Sequence, residues 1–255
     1  MTARVGFFTD TSLCIGCKAC EVACKEWNGV PSTGFDLLGL SYDNTGELGA
    51  DSWRHVAFVE QPTDGPNGMR WLMSSDVCKH CTRAGCLDVC PTGALFRTEF
   101  GSVVVQPDIC NGCGYCVSAC PFGVIDRREG DGRAWKCTLC YDRLRDDLEP
   151  ACAKACPTES IQFGILDDLR VRAADRVDEL HARGVTDARL YGDDPDDGVG
   201  GAGAFFLLLD EPEVYGLPPD PVVPTRNVQA MWRHAGAAAA ALLVVAVSSF
   251  AGARR

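Results

Sequence analysis

The chain has 255 residues, enough for one large domain or two small ones, and its apolar fraction of 46% is ordinary for a globular protein. A formal net charge of −11 argues against nucleic acid as a partner, because proteins that bind nucleic acid need basic residues to neutralise phosphates. The composition departs from the ordinary in cysteine, of which there are sixteen.

The N-terminal segment leads directly into the first cysteine motif. It reads MTARVGFFTDTSLC and has no apolar stretch of the kind that a signal peptide requires, so we expect no export signal of its own. The motif, CIGCKACEVACKEWN, spaces four cysteines by two, two and three residues. All cysteines fall into four motifs: Cys14, Cys17, Cys20 and Cys24; Cys78, Cys81, Cys86 and Cys90; Cys110, Cys113, Cys116 and Cys120; Cys137, Cys140, Cys152 and Cys156.

Three kinds of chemistry compete to explain these motifs. A secreted disulfide scaffold would scatter its cysteines and carry a signal peptide. A structural zinc site needs two Cys-x-x-Cys pairs, which leaves the third closely spaced cysteine without a role. A [4Fe–4S] cluster takes three closely spaced thiolates and a fourth from another motif, often one followed by proline, as at Pro91, Pro121 and Pro157. Lys25 takes that place in the first motif. The pattern predicts four [4Fe–4S] clusters.

The segment between the second and third motifs predicts how the motifs pair. It reads PTGALFRTEFGSVVVQPDI, with two β-rich runs about Gly101, as in a two-cluster module whose motifs exchange their fourth cysteine. The first and fourth motifs then form a second module around this one. The predicted ligands are set A (Cys14, Cys17, Cys20, Cys156), set B (Cys137, Cys140, Cys152, Cys24), set C (Cys78, Cys81, Cys86, Cys120) and set D (Cys110, Cys113, Cys116, Cys90). Pairing of consecutive motifs remains open, because only sixteen residues separate Cys120 from Cys137.

Two segments outside the motifs carry structural patterns. The insertion after the first motif is punctuated by glycine and proline and predicts hairpins, with Trp53, Phe58 and Trp71 in a small satellite core or, alternatively, against a partner protein. After the fourth motif, apolar residues recur at helical spacing up to Gly184 and predict a helix that packs on a module. These residues are Leu166, Leu169, Ala173, Val177 and Leu180.

The glycines of GVGGAGAFFLLL follow no strand and precede no GK[ST], so they do not form a phosphate-binding loop. We expect AFFLLL to be an extended strand that covers the modules. The segment 235–253, AGAAAAALLVVAVSSFAGA, has no charge and is bounded by Arg233 and His234 and by Arg254 and Arg255. As a helix it would be about 28 Å long, close to the roughly 30 Å hydrocarbon core of a bilayer. It predicts a single transmembrane helix with Trp232 as interfacial anchor; an alanine-rich docking helix is the alternative.

The sequence therefore predicts an α+β fold of two ferredoxin-like [4Fe–4S] modules, one nested in the other, followed by a helical tail and a transmembrane helix. The predicted segments are 1–30 plus 128–165 (outer module, two clusters), 31–67 (hairpin-rich insertion), 68–127 (inner module, two clusters), 166–231 (cover helix and extended tail) and 232–255 (membrane anchor).

All five lysines lie inside or next to a cysteine motif: Lys18, Lys25, Lys79, Lys136 and Lys154. A [4Fe–4S] cluster with four thiolates is an anion, so nearby ammonium groups would bind and stabilise it and raise its reduction potential. Solvated lysines on helix faces are the alternative. His55, His80 and His181 have no convergent partners, and we expect them at the surface.

The order and spacing of the motifs resemble the four-cluster iron–sulfur subunits of molybdenum and tungsten oxidoreductases. CKACEVACKEWN and the tail segments ARLYG, GVGGAG and YGLPPDP favour the beta subunit of membrane-associated formate dehydrogenase. The resemblance is strong from Phe8 to Gly164 and extends to about Pro221. A relative in nitrate reductase replaces one cysteine of the third motif by tryptophan, whereas Cys116 is intact here.

This resemblance implies that the protein conducts electrons and binds no formate. Its partners would be a catalytic alpha subunit with molybdopterin or tungstopterin and a membrane cytochrome b gamma subunit, or another acceptor. The resemblance also implies attachment to the cell membrane, with the cluster domain outside the cytoplasm and exported together with the catalytic subunit. Subunits of hydrogenases and of tetrathionate or polysulfide reductases remain alternatives, and a zinc-stabilised interaction protein is an alternative of a different class.

Overall fold

The computed structural model describes residues 3–34, 39, 42–63 and 68–252. Helices α1 to α7 span Ala19–Asn28, Gly85–Asp88, Tyr115–Ser118, Tyr141–Arg145, Ala151–Lys154, Leu166–Ala182 and Val228–Gly252. Strands β1 to β10 span Val5–Asp10, Arg54–Pro62, Met69–Val77, Leu95–Arg97, Val103–Val105, Asp126–Arg127, Ala134–Trp135, Ile161–Ile165, Arg189–Tyr191 and Ala204–Leu208. The mixed helix and strand content was predicted. Parts of the predicted insertion (35–38, 40–41 and 64–67) and the basic pair Arg254 and Arg255 lie outside the described residues.

A four-stranded sheet joins distant parts of the chain. Its order is β8-β1-β10-β9, with β1 antiparallel to β8 and parallel to β10. Because side chains alternate across a strand, Phe7 packs among the cysteines on one face while Phe8 lies on the other. There Phe205 stacks on Phe8 with 5.3 Å between ring centroids, and α6 covers both rings. The sheet therefore separates the cysteine core from α6.

Helix α6 is the helix predicted after the fourth motif. Leu166, Leu169, Ala173 and Leu180 are buried along it, as their spacing predicts. The helix ends before Gly184, whose φ of +86° is the left-handed conformation that commonly ends a helix.

Strand β10 corrects the expectation of a cover strand. It lies inside the sheet between β1 and β9, and all of its residues are buried. A strand that is covered on both faces needs a continuous apolar run rather than an alternating one, and AFFLL is such a run.

The cysteine region contains two similar helix pairs. Helix α1 contacts α5, and α2 contacts α3. Between α2 and α3, strands β4 and β5 form the hairpin predicted about Gly101, with Leu95 opposite Val105. Each half of the region thus pairs a helix from one cysteine motif with a helix from another.

Strands β2 and β3 form a long hairpin that lies over the cysteine core. Strand β3 falls in the range predicted for the inner module and ends directly before Cys78. The expected satellite core is wrong, because the hairpin places Trp53 and Phe58 in the main core, where Trp53 stacks on Trp135 at 6.3 Å between centroids. Trp71 is 43% exposed.

Helix α7 has 25 residues and is therefore about 37 Å long. The segment Val228–Ala251 is apolar enough to cross a membrane, with a mean hydropathy of 1.8, and its most apolar stretch has no residue buried against the rest of the chain. The helix starts before the uncharged run, so Trp232 and Arg233 lie within it. An apolar helix left bare in this way needs lipid or another protein around it.

Candidate metal centres

The thiols of set C surround one cavity. Cys78 follows β3, Cys86 lies in α2 and Cys120 follows α3, and together with Cys81 they line this cavity. Apolar side chains such as Val103 supply most of the remaining wall. The four thiols therefore face one largely apolar space.

The thiols of set A surround a second cavity. Cys14, Cys17 and Cys20 reach it from the first motif, and Cys156 reaches it from the end of the fourth. Cys20 is buried in α1, whereas Cys17 is exposed. One cysteine of this set is thus accessible from the surface.

Set B is the most deeply buried. Cys24, Cys137, Cys140 and Cys152 are all buried. Burial raises the pKa of the Cys24 thiol, and the charges of the other three thiols of the set raise it further, so these sulfurs lie close together. The side-chain amide nitrogen of Asn28 lies 3.8 Å from Sγ of both Cys24 and Cys140, within reach of a weak hydrogen bond.

Set D lies near the surface. Burial, followed by the charges of Cys110, Cys113 and Cys90, raises the pKa of the Cys116 thiol to about 11. The backbone N–H of Ala134 donates to Sγ of Cys110 at 3.4 Å. Cys113 is exposed.

The four sets stand in a row from A to D. In three places burial and a thiol of the neighbouring set together raise the pKa of a cysteine: Cys20 with Cys152 nearby, Cys137 with Cys78 nearby, and Cys86 with Cys116 nearby. The cysteines classed as exposed, Cys17 and Cys113, belong to the sets at the two ends. The row therefore reaches the surface at both ends and is enclosed between them.

Comparisons with known proteins agree with this geometry. Two models of the 4Fe-4S dicluster domain match residues 69–166 and 13–94. The nitrate-inducible formate dehydrogenase iron-sulfur subunit of Escherichia coli (strain K12) is 42% identical over 237 residues, which cover 91% of this chain and 78% of the relative. The formate dehydrogenase iron-sulfur subunit of Haemophilus influenzae is 44% identical over 219 residues, 84% of this chain and 68% of the relative. This protein belongs to the family of formate dehydrogenase iron–sulfur subunits. The resemblance predicted from the motifs is confirmed.

A wider relationship accompanies this one. An iron–sulfur relative from the anaerobic dimethyl sulfoxide reductase of Escherichia coli (strain K12) is 37% identical over 175 residues, 69% of this chain and 80% of the relative. Formate dehydrogenase iron–sulfur subunits therefore share this architecture with a subunit of a different oxidoreductase.

The donor sets fit the iron–sulfur clusters that the family name implies. Burial raises the pKa of Cys20 to about 11 and that of Cys137 to about 12, and crowded thiols of this kind become thiolates at neutral pH only beside a metal cation. Among the described residues, no three His, Cys, Asp or Glu side chains are placed to hold a single metal ion. A structural zinc needs four ligands at about 2.0–2.3 Å from one centre. The thiols are thus spaced for a larger group than zinc.

Two of the five lysines are buried beside set C. Lys79 is 1% exposed, pairs with Asp76 and lies 5.0 Å from the centre of the Phe206 ring. Lys136 is 2% exposed, and its ammonium donates to the carbonyl of Cys137 at 2.8 Å. Burial lowers the pKa of Lys136, but the nearby thiols outweigh this and raise it above its ordinary value. Both lysines line the set C cavity.

The other three lysines have different surroundings. Lys18 lines the set A cavity, and its ammonium pairs with Asp43 at 3.1 Å. Lys25 donates to backbone carbonyls, among them that of Pro31 at 2.8 Å. The Lys154 side chain is 72% exposed and pairs with Glu149. The structure therefore brings Lys18, Lys79 and Lys136 to the thiols, and it directs Lys25 and Lys154 elsewhere.

The expectation of surface histidines is wrong for two of the three. His55 is 7% exposed, and its Nε2 lies 2.6 Å from a carboxylate oxygen of Asp43. His80 is 2% exposed, and its Nδ1 accepts the backbone N–H of Val103 at 3.1 Å. Each is buried because a partner distant in sequence satisfies it, which the local pattern does not reveal. His181 is exposed, as expected.

Arg54 is a buried cation that the sequence analysis did not single out. It is 2% exposed and contacts Cys152, which lies 98 residues further along the chain. Arginines are spread over the whole sequence, so position alone gives no signal. The basic residue at the start of an apolar β-run was the available hint, since such a residue is buried only if it has a partner.

Replacing Gly16 by alanine is expected to destabilise the loop that carries set A. Gly16 has a φ of +66°, and an added Cβ would lie 2.5 Å from Cε1 of Phe58. The left-handed conformation costs about 1–2 kcal/mol and overpacking about 1–3 kcal/mol more. Gly29→Ala is the matched control, because Gly29 has a φ of +57° but free space around it. The thermal midpoint of the loaded complex should fall further for Gly16→Ala; equal falls would contradict the steric argument.

Proposed function

We propose that the protein transfers electrons one at a time within a formate dehydrogenase complex, with one [4Fe–4S] cluster in each of sets A to D. The observation that carries the proposal is the row of four thiol sets, enclosed along its length and open to the surface at Cys17 and Cys113. A bound [4Fe–4S] cluster accepts and returns single electrons. Formate oxidation releases two electrons, so such a row suits relay from a two-electron catalyst to a one-electron acceptor.

The nested arrangement is part of the proposal. The outer module, residues 1–30 plus 128–165, would hold sets A and B, and the inner module, residues 68–127, would hold sets C and D. The cavity that Cys156 lines together with Cys14 supports this exchange of fourth cysteines, as does the cavity that Cys120 lines together with Cys78. The contacts of α1 with α5 and of α2 with α3 support it as well.

The protein's own side chains would adjust the surroundings of the clusters. Apolar walls exclude water from the thiols, which keeps electrostatic interactions strong there. Lys79 and Lys136 at set C, and Lys18 at set A, would offset negative charge and raise the reduction potential.

The two ends of the row would face different partners. After β10 the chain returns to the inner module, where Val223 lines the set C cavity and Thr225 donates to Asp88 at 2.6 Å. Helix α7 begins at Val228, so the inner module lies beside the membrane segment. Set D would then face a cytochrome b in the membrane, and set A would face the molybdopterin or tungstopterin subunit. The cluster domain would lie on the extracytoplasmic side.

A catalytic subunit of the dimethyl sulfoxide reductase type is the second candidate partner. The 37% identity to a subunit of that enzyme favours it. Electrons would then run from the membrane to the catalytic subunit. The purified complex distinguishes the two candidates, because one reduces a dye with formate and the other oxidises a reduced dye with dimethyl sulfoxide.

The protein purified without any large subunit is expected to be brown and to hold about sixteen irons. It should not oxidise formate, because the four thiols of each set fill every metal position and leave none open to a substrate. Iron analysis, visible absorption and a formate–dye assay measure this, with the whole complex as the active control. Colourless protein would contradict the clusters, and formate-dependent dye reduction by the lone subunit would contradict the division of labour.

A further inference from the structure

The guanidinium of Arg54 lies between sets A and B and is linked to both. Its Nη2 donates to Sγ of Cys152, a set B thiol, at 3.3 Å. Its Nη1 donates to Oγ of Ser75 at 3.2 Å, and that oxygen lies 3.2 Å from Sγ of Cys20, a set A thiol. One buried cation is therefore bonded directly to one set and through a single hydroxyl to the other.

The position of this guanidinium is fixed. Arg54 also donates to the backbone carbonyl of Ser75 at 3.1 Å, and its Cζ lies 4.9 Å from the centre of the Phe7 ring. The side chain is almost fully buried, and it cannot swing into solvent without leaving these contacts. Its distance from the two thiol sets is therefore held constant.

The charge of Arg54 has no carboxylate counterpart among its described hydrogen bonds, which go to Ser75 and Cys152. A buried charge is costly unless an opposite charge accompanies it. Its Nε–H is also buried and has no described partner, although buried donors are nearly always satisfied. The groups within reach that carry negative charge when metal-bound are the thiolates of sets A and B and the sulfides they would surround.

We propose that Arg54 is a positioning residue that raises the reduction potentials of the two outer-module clusters together. The inference rests on the four-cluster function proposed above. Each all-thiolate cluster becomes more negative on reduction, so a fixed cation nearby stabilises its reduced form more than its oxidised form. Because the guanidinium is shared, it keeps the potentials of A and B close, which favours transfer between them in either direction.

The test is a redox titration of the whole complex followed by electron paramagnetic resonance. The iron content is measured first, and a value well below about sixteen per chain in the unmutated complex would contradict the four-cluster function rather than this inference. The signals of sets A and B are assigned by their loss in Cys156→Ser and Cys24→Ser. In Arg54→Gln, the ratio of reduced to oxidised cluster at fixed potential should fall about tenfold at both sets, a shift of about 59 mV for one electron. The signals of sets C and D should not move.

Three further variants separate charge from packing. Arg54→Lys retains the charge and should recover most of the shift. Ser75→Ala keeps the cation but removes the hydroxyl beside Cys20, so it should lower the potential of set A more than that of set B. Arg183→Gln removes an equal charge from a side chain that is 64% exposed near the end of α6 and should move neither set.

Unchanged potentials of A and B in a loaded Arg54→Gln complex would overturn the inference, as would equal shifts in Arg183→Gln. A shift in Arg54→Lys as large as that in Arg54→Gln would show that packing rather than charge sets the potentials, and it would also overturn the inference. If Arg54→Gln fails to load its clusters, Ser75→Ala decides the question. In that case an unchanged set A potential in the loaded Ser75→Ala complex counts against the shared cation.

Discussion

Cys24→Ser is expected to remove the cluster of set B while the cluster of set A stays in place. Cys24 and Cys20 lie one turn apart in α1, yet Cys24 lies among the thiols of set B and Cys20 lines the set A cavity. Loss of one cluster should lower the iron content by about four per chain. It should reduce electron flow from formate to quinone by more than the roughly 10–100-fold that loss of an outer-shell partner costs, because the row is interrupted.

Cys156→Ser is the complementary variant. Cys156 belongs to the fourth motif in sequence, but in space it shares the set A cavity with Cys14. Its replacement should remove a different paramagnetic signal from the one that Cys24→Ser removes. If Cys24→Ser and Cys20→Ser abolish the same signal, the exchange of fourth cysteines is refuted and consecutive pairing becomes the better assignment.

Ending the chain after Met231 is expected to release the complex from the membrane. The truncation removes most of α7, none of whose apolar stretch is buried against the rest of the chain, so all four thiol sets should remain loaded. Membrane-bound activity should fall at least about tenfold, which requires a loss of only about 1.4 kcal/mol of binding free energy. Formate–dye activity should persist while quinone reduction is lost. Fractionation and the two assays measure this.

A variant that ends at Gly252 keeps the whole of α7 and is the matched control. It should remain with the membrane. If the Met231 truncation stays there too, or if it loses iron, α7 is a docking helix for the cluster domain and the anchor assignment is wrong.

The cysteine chemistry was predictable because it is local. Ligands three residues apart must bind one group, and the hairpin about Gly101 and helix α6 follow from patterns within twenty residues. Interactions between distant segments were not predictable in this way. The burial of His80 depends on Val103, and that of Arg54 on Ser75 and Cys152.

The insertion shows the same limit. Its aromatic residues were predicted to form a separate cluster because nothing in the local sequence indicates that the β2–β3 hairpin folds back over the cysteines. Trp53 stacks on Trp135, 82 residues away. Strand β10 was predicted to be a cover strand for a similar reason, since its partner β1 lies at the other end of the chain.

The position of β1 in the middle of the sheet has a consequence for synthesis. Both of its neighbours are made late, β8 at residues 161–165 and β10 at residues 204–208. A ribosome adds about 5–20 residues per second, so roughly 10–40 s pass between the emergence of β1 and that of β10. During that interval the first three cysteines of set A are available but the sheet behind them cannot close. The order in which the chain is translated therefore leaves the thiols open to iron delivery before the fold encloses them.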